Sequence, residues 1–539
     1  MSITKAEDIE DILDFVRGSR GFFDQERCEV KLSDVGGVGV FAKEDITESR
    51  ALLKLHKTAI FSASNSSIAN LLLDEQIDGV LALNIAFIYE TTVFKDTSHW
   101  YKYLKTIKID TNNLPPCYWN HNLKAMLKGT TLDSLFCALE PQDEINEGFE
   151  IAVELARKWN KEFGLEIPKG FLDVNDNDDL EIEEKLKKFV AIAYAISSRG
   201  FEIDSYHETA LVPIADLFNH HCESPHLQFR TLYDVCDKCG EFFGCAHNES
   251  EDEEESEDED DMSSGTEVSD NEAHIDESSQ SNKEKVNSLS LELVKELEIL
   301  HEDTEQKGRI KDEELDDDEC IEMRLMGEVK KGEEIFNTYG DLSNSLLIAR
   351  YGFCVEKNPH DIVHLGPSII QFIRKNKEHQ DKIEWFKETG FQLLRQWIIS
   401  EQEEDEDEEE GEEEEDDDEY DSDEAEAAQS LWLSEMSINY DAEPTQILIA
   451  LCKLLALDNI EWKNFSEYPD DKKFTRLAKE NTKDARSILK ALITEKLRLL
   501  KKPKNSNKID PIHKLKYEAA SILVHNECRI LEKCLENYK

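Results

Sequence analysis

The stretch Lys331-Gly332-Glu333-Glu334-Ile335-Phe336-Asn337-Thr338-Tyr339-Gly340 reads as a turn, a short strand and a tyrosine presented at the strand's end. Asn344 and Tyr351-Gly352-Phe353 follow at once, so a second tyrosine stands one short helix further on. A phenol is an aromatic body with a polar handle, and two of them can wall a narrow, dry channel. Taken alone, Tyr339 and Tyr351 read equally well as core residues with satisfied hydroxyls. The rest of the chain decides between the two readings.

Three patterns upstream bear on it. Gly36-Gly37-Val38-Gly39 leaves backbone N–H and C=O groups open to a nucleotide-like ligand, because no side chain intervenes. As an isolated motif it is more often a β-hairpin turn. It is not a dinucleotide fingerprint, since the third glycine is missing and Val40-Phe41-Ala42 continues as strand. Arg199 keeps its charge at any relevant pH and can fork onto a carboxylate, with a surface salt bridge as the ordinary alternative. Residues 211–218 read as a buried strand containing Pro213, and it delivers Asn219-His220, a pair able to offer backbone amides and an imidazole to an adenine ring. A lone Asn-His is a turn; here it lies 20 residues after Arg199.

Around these motifs the pattern alternates. Residues 28–62 show the period-two alternation of short strands, 68–196 the longer spacing of helices, and 209–233 and 322–339 return to strand character. After Tyr351 the spacing is helical again around 369–373 and 385–398. Three further amphipathic helices follow over 447–457, 485–500 and 517–535, with Pro503 stopping one and Asp510-Pro511 opening the next. A helix is also expected over 289–300, inside an acidic, serine-rich insertion.

In this order the motifs resemble those of SET-domain protein lysine methyltransferases, specifically the branch of the Rubisco large-subunit methyltransferase and the fungal ribosomal-protein lysine methyltransferases. The matching elements are the Gly-x-Gly turn, Trp100-Tyr101-Lys102-Tyr103-Leu104, the segment from Tyr118-Trp119 to Leu127-Lys128-Gly129-Thr130, Ser198-Arg199, residues 212–220 and residues 331–353. Weaker helical similarity runs on to Glu527-Cys528-Arg529-Ile530-Leu531, so most of the chain is covered.

The resemblance implies an α+β fold. A β-rich SET domain with a pseudoknot would span 20–353, with a helical insert over 68–196 and an acidic loop over 248–319. An all-helical, substrate-binding lobe would span 354–539, interrupted by an acidic loop at 401–426. It implies S-adenosyl-L-methionine held by Gly36, Gly37, Val38, Arg199, Asn219, His220, Tyr339 and Tyr351, and a catalytic hydroxyl at Tyr339. Arg199, Asp216 and Tyr351 are implied to lie by the lysine. Three positions depart from the family pattern. His221 stands where serine is frequent, and Ile203 replaces a basic residue of the plant enzyme, which argues against a substrate shared with the Rubisco methyltransferase. Asn337 occupies the position of an aromatic residue that limits product state, so mono-, di- and trimethylation all stay open.

Cys236-Asp237-Lys238-Cys239 with Cys245 and His247 is a separate cluster. Three thiolates and an imidazole suit a closed, structural zinc site, with Cys222 or Cys320 as substitutes for His247 and a loop of free cysteines as the alternative.

Composition bounds the partners. The 539 residues carry a formal charge of −58, but 39 of those charges sit in the runs 249–261, 312–319 and 401–426, leaving −19 for the remainder. Such runs cannot bury enough apolar area to offset the entropy of ordering, so they are expected to be solvated loops. An acidic field disfavours nucleic acid and membrane surfaces and favours basic partners such as histones or ribosomal proteins, with solubility alone as the ordinary alternative. It is the resemblance that implies a ribosomal protein first and a histone second. A non-catalytic acidic chaperone for basic clients is the competing function class. The first 15 residues carry several acids and no uninterrupted apolar core, unlike a signal peptide, and no apolar stretch approaches membrane-spanning length. Twelve scattered cysteines suit a reducing compartment, which points to the nucleus or cytoplasm. Lys501-Lys502-Pro503-Lys504 reads either as a nuclear signal or as a solvated helix end.

Overall fold

The computed structural model describes residues 6–47, 49–141, 143–231, 235–236, 239–240, 315, 319–406, 431–467, 477, 482–501 and 513–538. The expected helix at 289–300, Pro503, Asp510-Pro511 and nearly all of both acidic loops lie outside them. Two compact units emerge, one of residues 1–114 and 142–339, the other of 115–141 and 340–539. The division falls at Gly340, whereas the sequence pattern places it at 353, and residues 115–141 join the second unit rather than the helical insert of the first.

Among its described residues the first unit carries nine strands: β1 (Gly21–Phe23), β2 (Cys28–Leu32), β3 (Val38–Ala42), β4 (Arg50–His56), β5 (Gly200–Glu202), β6 (Thr209–Leu211), β7 (Leu227–Thr231), β8 (Cys320–Leu325) and β9 (Glu334–Ile335). They form small antiparallel sheets in the orders β1-β4-β8-β7, β2-β3-β9 and β5-β6. Burial explains the pairing: β4 is inward-facing over almost its whole length, with Leu52, Leu53 and Leu55 fully buried, and Leu55 lies opposite Ile321 of β8. Helices pack on these sheets. Gly79–Thr92 is buried continuously from Ala82 to Glu90 and so runs through the core, whereas Asp143–Phe163 buries one stripe including Phe149, Val153 and Trp159. The expected helical block is present between β4 and β5.

The second unit is mainly helical. Its elements include Asn344–Tyr351, Gly366–Lys375, Gln446–Ala456, Lys483–Leu499 and Lys514–Asn537. Thr445 and Thr482 cap two of these helices by accepting from the N–H groups of Leu448 and Ala485. A two-stranded antiparallel ribbon, β10 (Ile362–His364) with β11 (Ser437–Asn439), adds a small β element to the expected helical lobe. Residues 115–141 belong here because their polar groups are used here. Thr131 donates its N–H to Glu527 (2.6 Å) and its hydroxyl to the Ile362 carbonyl (3.2 Å), and the Ser134 hydroxyl meets His364 Nδ1 (2.9 Å). All of these are groups whose burial would be costly without partners.

Candidate active site

The glycine turn hangs between β2 and β3. Ser33 donates its N–H to the Gly37 carbonyl (3.1 Å), which closes the loop, and Gly36 and Gly37 adopt φ of 149° and 63°, values that side chains resist. A Cβ built on Gly36 would meet nothing within 4 Å, so the backbone here opens onto unfilled space. Val38 is buried in the core.

Residues 211–218, expected as a strand, are strand only to Leu211. Pro213 has no N–H to give to a ladder, Ile214 takes a φ of +70°, and Ala215–Leu217 coils into a 3-10 turn. A fully buried β-branched residue in that conformation is strained and is held by its surroundings. The kink turns the chain so that Asn219, His220 and His221 run beside the strand end at 336–338. Asn337 donates its N–H to the Asn219 carbonyl (2.8 Å), and its own carbonyl accepts from the His221 N–H (2.9 Å). The N–H groups of His226 and Leu227 reach the Phe336 carbonyl (2.8 and 3.2 Å). The segment that ends in Tyr339 is thus held by two parts of one loop, as a pseudoknot requires.

Tyr339 is fixed at this crossing by three contacts. Its N–H donates to His220 Nδ1 (3.0 Å), its ring stacks on the His220 ring (centroids 5.1 Å apart, 29° between planes), and its hydroxyl donates to the Phe218 carbonyl (3.3 Å). With the hydroxyl hydrogen directed at Phe218, the oxygen's lone pairs form an acceptor face toward a C–H or N–H group. His220 Nδ1, as an acceptor, fixes the imidazole tautomer with its proton on Nε2.

Arg199 and Asp216 pair at 3.4 Å, the Asp216 carboxylate 2% exposed and the Arg199 side chain, at 15%, only partly buried. The Tyr103 hydroxyl donates to the same Asp216 oxygen (3.2 Å). Burial pushes the Asp216 carboxyl up, while the Arg199 charge and the Tyr103 hydrogen bond pull it back down. The family resemblance implies Asp216 beside the lysine; the structure engages one of its carboxylate oxygens in this pair and leaves the other buried without a hydrogen-bond partner among the described residues. Tyr103 lies in a matching motif without a role implied for it, and its place here emerges only once the fold joins it to Asp216.

Tyr351 belongs to the second unit, where it ends the helix Asn344–Tyr351. Burial raises its hydroxyl above the usual phenol range, and its ring lies 6.2 Å from Phe353. Of the expected zinc set, Cys236 is buried and Cys239 partly so, while Cys245 and His247 lie outside the described residues. Among the described residues no group of three or more His, Cys, Asp or Glu side chains could hold a metal ion, and no helix is long and apolar enough to cross a membrane.

Small antiparallel sheets with a strand end threaded through a loop, and a tyrosine seated at the crossing, define a SET-domain protein. Two solved structures share the fold: the SET domain of LSMT bound to lysine and AdoHcy (TM-score 0.51, 14% identity, covering 99% of this chain and 91% of that one), and Rubisco LSMT bound to sinefungin and monomethyllysine (TM-score 0.51, 14% identity, 99% and 92%). No protein-family model matches the chain. Among curated relatives, ribosomal lysine N-methyltransferase 3 of Saccharomyces cerevisiae is 45% identical over 99% of this chain and 100% of its own length. Ribosomal lysine N-methyltransferase 4 of Schizosaccharomyces pombe is 27% identical over 61% of this chain and 62% of its own. The chain belongs to the ribosomal lysine N-methyltransferase family of SET-domain enzymes, and it is a protein-lysine N-methyltransferase.

Proposed function

We propose that the protein methylates a lysine ε-amine on a basic ribosomal protein, using S-adenosyl-L-methionine. The observation that carries the reading is the crossing at which His220 holds Tyr339, next to a glycine turn whose backbone opens onto space. The cofactor supplies an electrophilic methyl group, and the exposed backbone of 36–37 together with Asn219-His220 offers the polar groups and close approach that a nucleoside needs. Tyr339 orients the incoming amine with its oxygen, so that the amine presents its lone pair in line with the methyl carbon. Amine attack also requires a neutral lysine, and the buried His220 ring with the Tyr339 ring stacked on it supplies an apolar wall that favours the uncharged form. Tyr351 and the helical second unit contribute to substrate binding in this reading.

The acidic runs speed encounter with a basic partner through steering, an effect that weakens with salt. Action in the nucleus or cytoplasm, where ribosomal proteins are available, fits the same reading. The test is to incubate the purified chain with methyl-labelled S-adenosylmethionine and an extract from cells lacking it, then identify the labelled polypeptide. A labelled ribosomal protein supports the proposal. Label on a histone or another protein replaces the substrate while keeping the chemistry.

A further inference from the structure

Glu334 faces Phe41 across the β3–β9 pair, and its side chain leans diagonally over Gly39 on the same face of β3. One carboxylate oxygen accepts from Asn219 Nδ2 (2.6 Å) and the other from the Ser33 hydroxyl (2.8 Å). Asn219 Nδ2 also donates to the Val38 carbonyl (3.1 Å), so both of its amide hydrogens are used. A Cβ on Gly39 would overlap the Glu334 carboxylate and crowd the Asn219 amide, which shows how closely the clamp is fitted to a glycine. Three segments distant in sequence, the glycine turn, the Asn219-His220 segment and the strand leading to Tyr339, are therefore tied through one side chain.

We infer that Glu334 is a positioning residue that sets cofactor affinity, by holding the turn of residues 33–37 at a fixed distance from Asn219. The inference rests on the cofactor reading above and adds the residue that assembles that site. Glu334 makes its contacts to Ser33 and Asn219, and through them it acts on the backbone of the turn. Its loss should loosen the binding surface before it disturbs the transfer step at Tyr339, which His220 and Phe218 hold independently.

The experiment is steady-state kinetics of the full chain at varied S-adenosylmethionine, with calorimetric binding of the same cofactor. Glu334→Ala should raise the cofactor KM and Kd about tenfold and leave kcat at saturation within about twofold. Glu334→Gln, whose amide oxygen still accepts from Asn219, should stay within about threefold of wild type. Gly39→Ala should mimic Glu334→Ala, and the double variant should be no worse than Glu334→Ala alone, because the overlap disappears with the carboxylate. If Glu334→Ala does not fold, Ser33→Ala removes one clamp bond from a partly exposed turn residue and should raise the cofactor KM about threefold. Wild-type KM in Glu334→Ala or in Ser33→Ala, or a fall in kcat with KM unchanged, overturns the inference. A wild-type chain that binds no S-adenosylmethionine defeats the cofactor reading itself, and the inference with it.

Discussion

Tyr339 gives its backbone N–H to His220 Nδ1 at 3.0 Å while their rings stack 5.1 Å apart, so the imidazole holds the tyrosine by its main chain and its ring at once. His220→Ala leaves that N–H without its acceptor and removes the stacking surface. Turnover should fall at least about tenfold, with a smaller change in cofactor affinity, measured as kcat and KM for labelled methyl transfer. Equal turnover in the variant would show that the tyrosine is positioned by other contacts.

The two glycines of the turn should respond differently to substitution. Gly37 sits at φ 63°, which asparagine also adopts, whereas Gly36 at 149° is in a region left to glycine. Gly37→Asn should preserve cofactor binding within a few-fold, and Gly36→Ala should weaken it by about tenfold through a reshaped turn. Calorimetry with S-adenosylmethionine separates the two.

Arg199 is the counter-charge for a carboxyl that is almost wholly buried. Arg199→Ala strands Asp216 in the core and should lower unfolding free energy by about 3 kcal/mol. Asp216→Asn removes the charge that needs pairing and should cost less. Tyr103→Phe deletes one hydrogen bond and should cost about 1 kcal/mol. Denaturant titration of the three variants gives the order, and an Arg199→Ala change milder than Tyr103→Phe would contradict this account of the buried carboxyl.

Much of this architecture is legible in the amino-acid sequence. The helical block between β4 and β5, the helices of the second unit and the strands around the glycine turn follow from hydrophobic spacing, because elements such as Asp143–Phe163 bury one face in a regular pattern, while Gly79–Thr92 shows as a run apolar almost all round. Residues 211–218 read as a strand because nearly every side chain there is apolar, and apolar character alone cannot tell an extended run from a kinked one. Pro213 is the available warning. The place of residues 115–141 in the second unit is not legible, since Thr131, Ser134, Ile362, His364 and Glu527 meet only through tertiary packing. Glu334 is hidden for a different reason: in Gly332-Glu333-Glu334 it reads as one more solvated acid of a turn, and only the β3–β9 register aims it across Gly39.

The second unit should be acid-sensitive through His364. Its ring is buried, its Nε2–H donates to the Leu433 carbonyl (2.8 Å), and its Nδ1 meets the Ser134 hydroxyl. Burial, aided by the charge of Lys496, lowers its pKa from 6.5 to about 4. Between those values the unfolded chain binds a proton that the folded chain refuses, so stability is lost as pH falls from about 6.5 toward 4. The loss amounts to roughly 3 kcal/mol at the acid end. His364→Gln should flatten the dependence of melting temperature on pH over that interval, and an unchanged slope would assign the acid sensitivity to other groups.

The most direct test of the account compares wild type with Tyr339→Phe, following transfer of labelled methyl groups to ribosomal proteins from cells lacking the enzyme, alongside binding of S-adenosylmethionine. The substitution removes only the hydroxyl that bonds to the Phe218 carbonyl and keeps the ring stacked on His220. Wild type should label a ribosomal protein on lysine, while Tyr339→Phe should bind the cofactor almost as tightly and transfer almost none of its label. Full transfer by Tyr339→Phe would contradict the role given to the hydroxyl at the centre of this site.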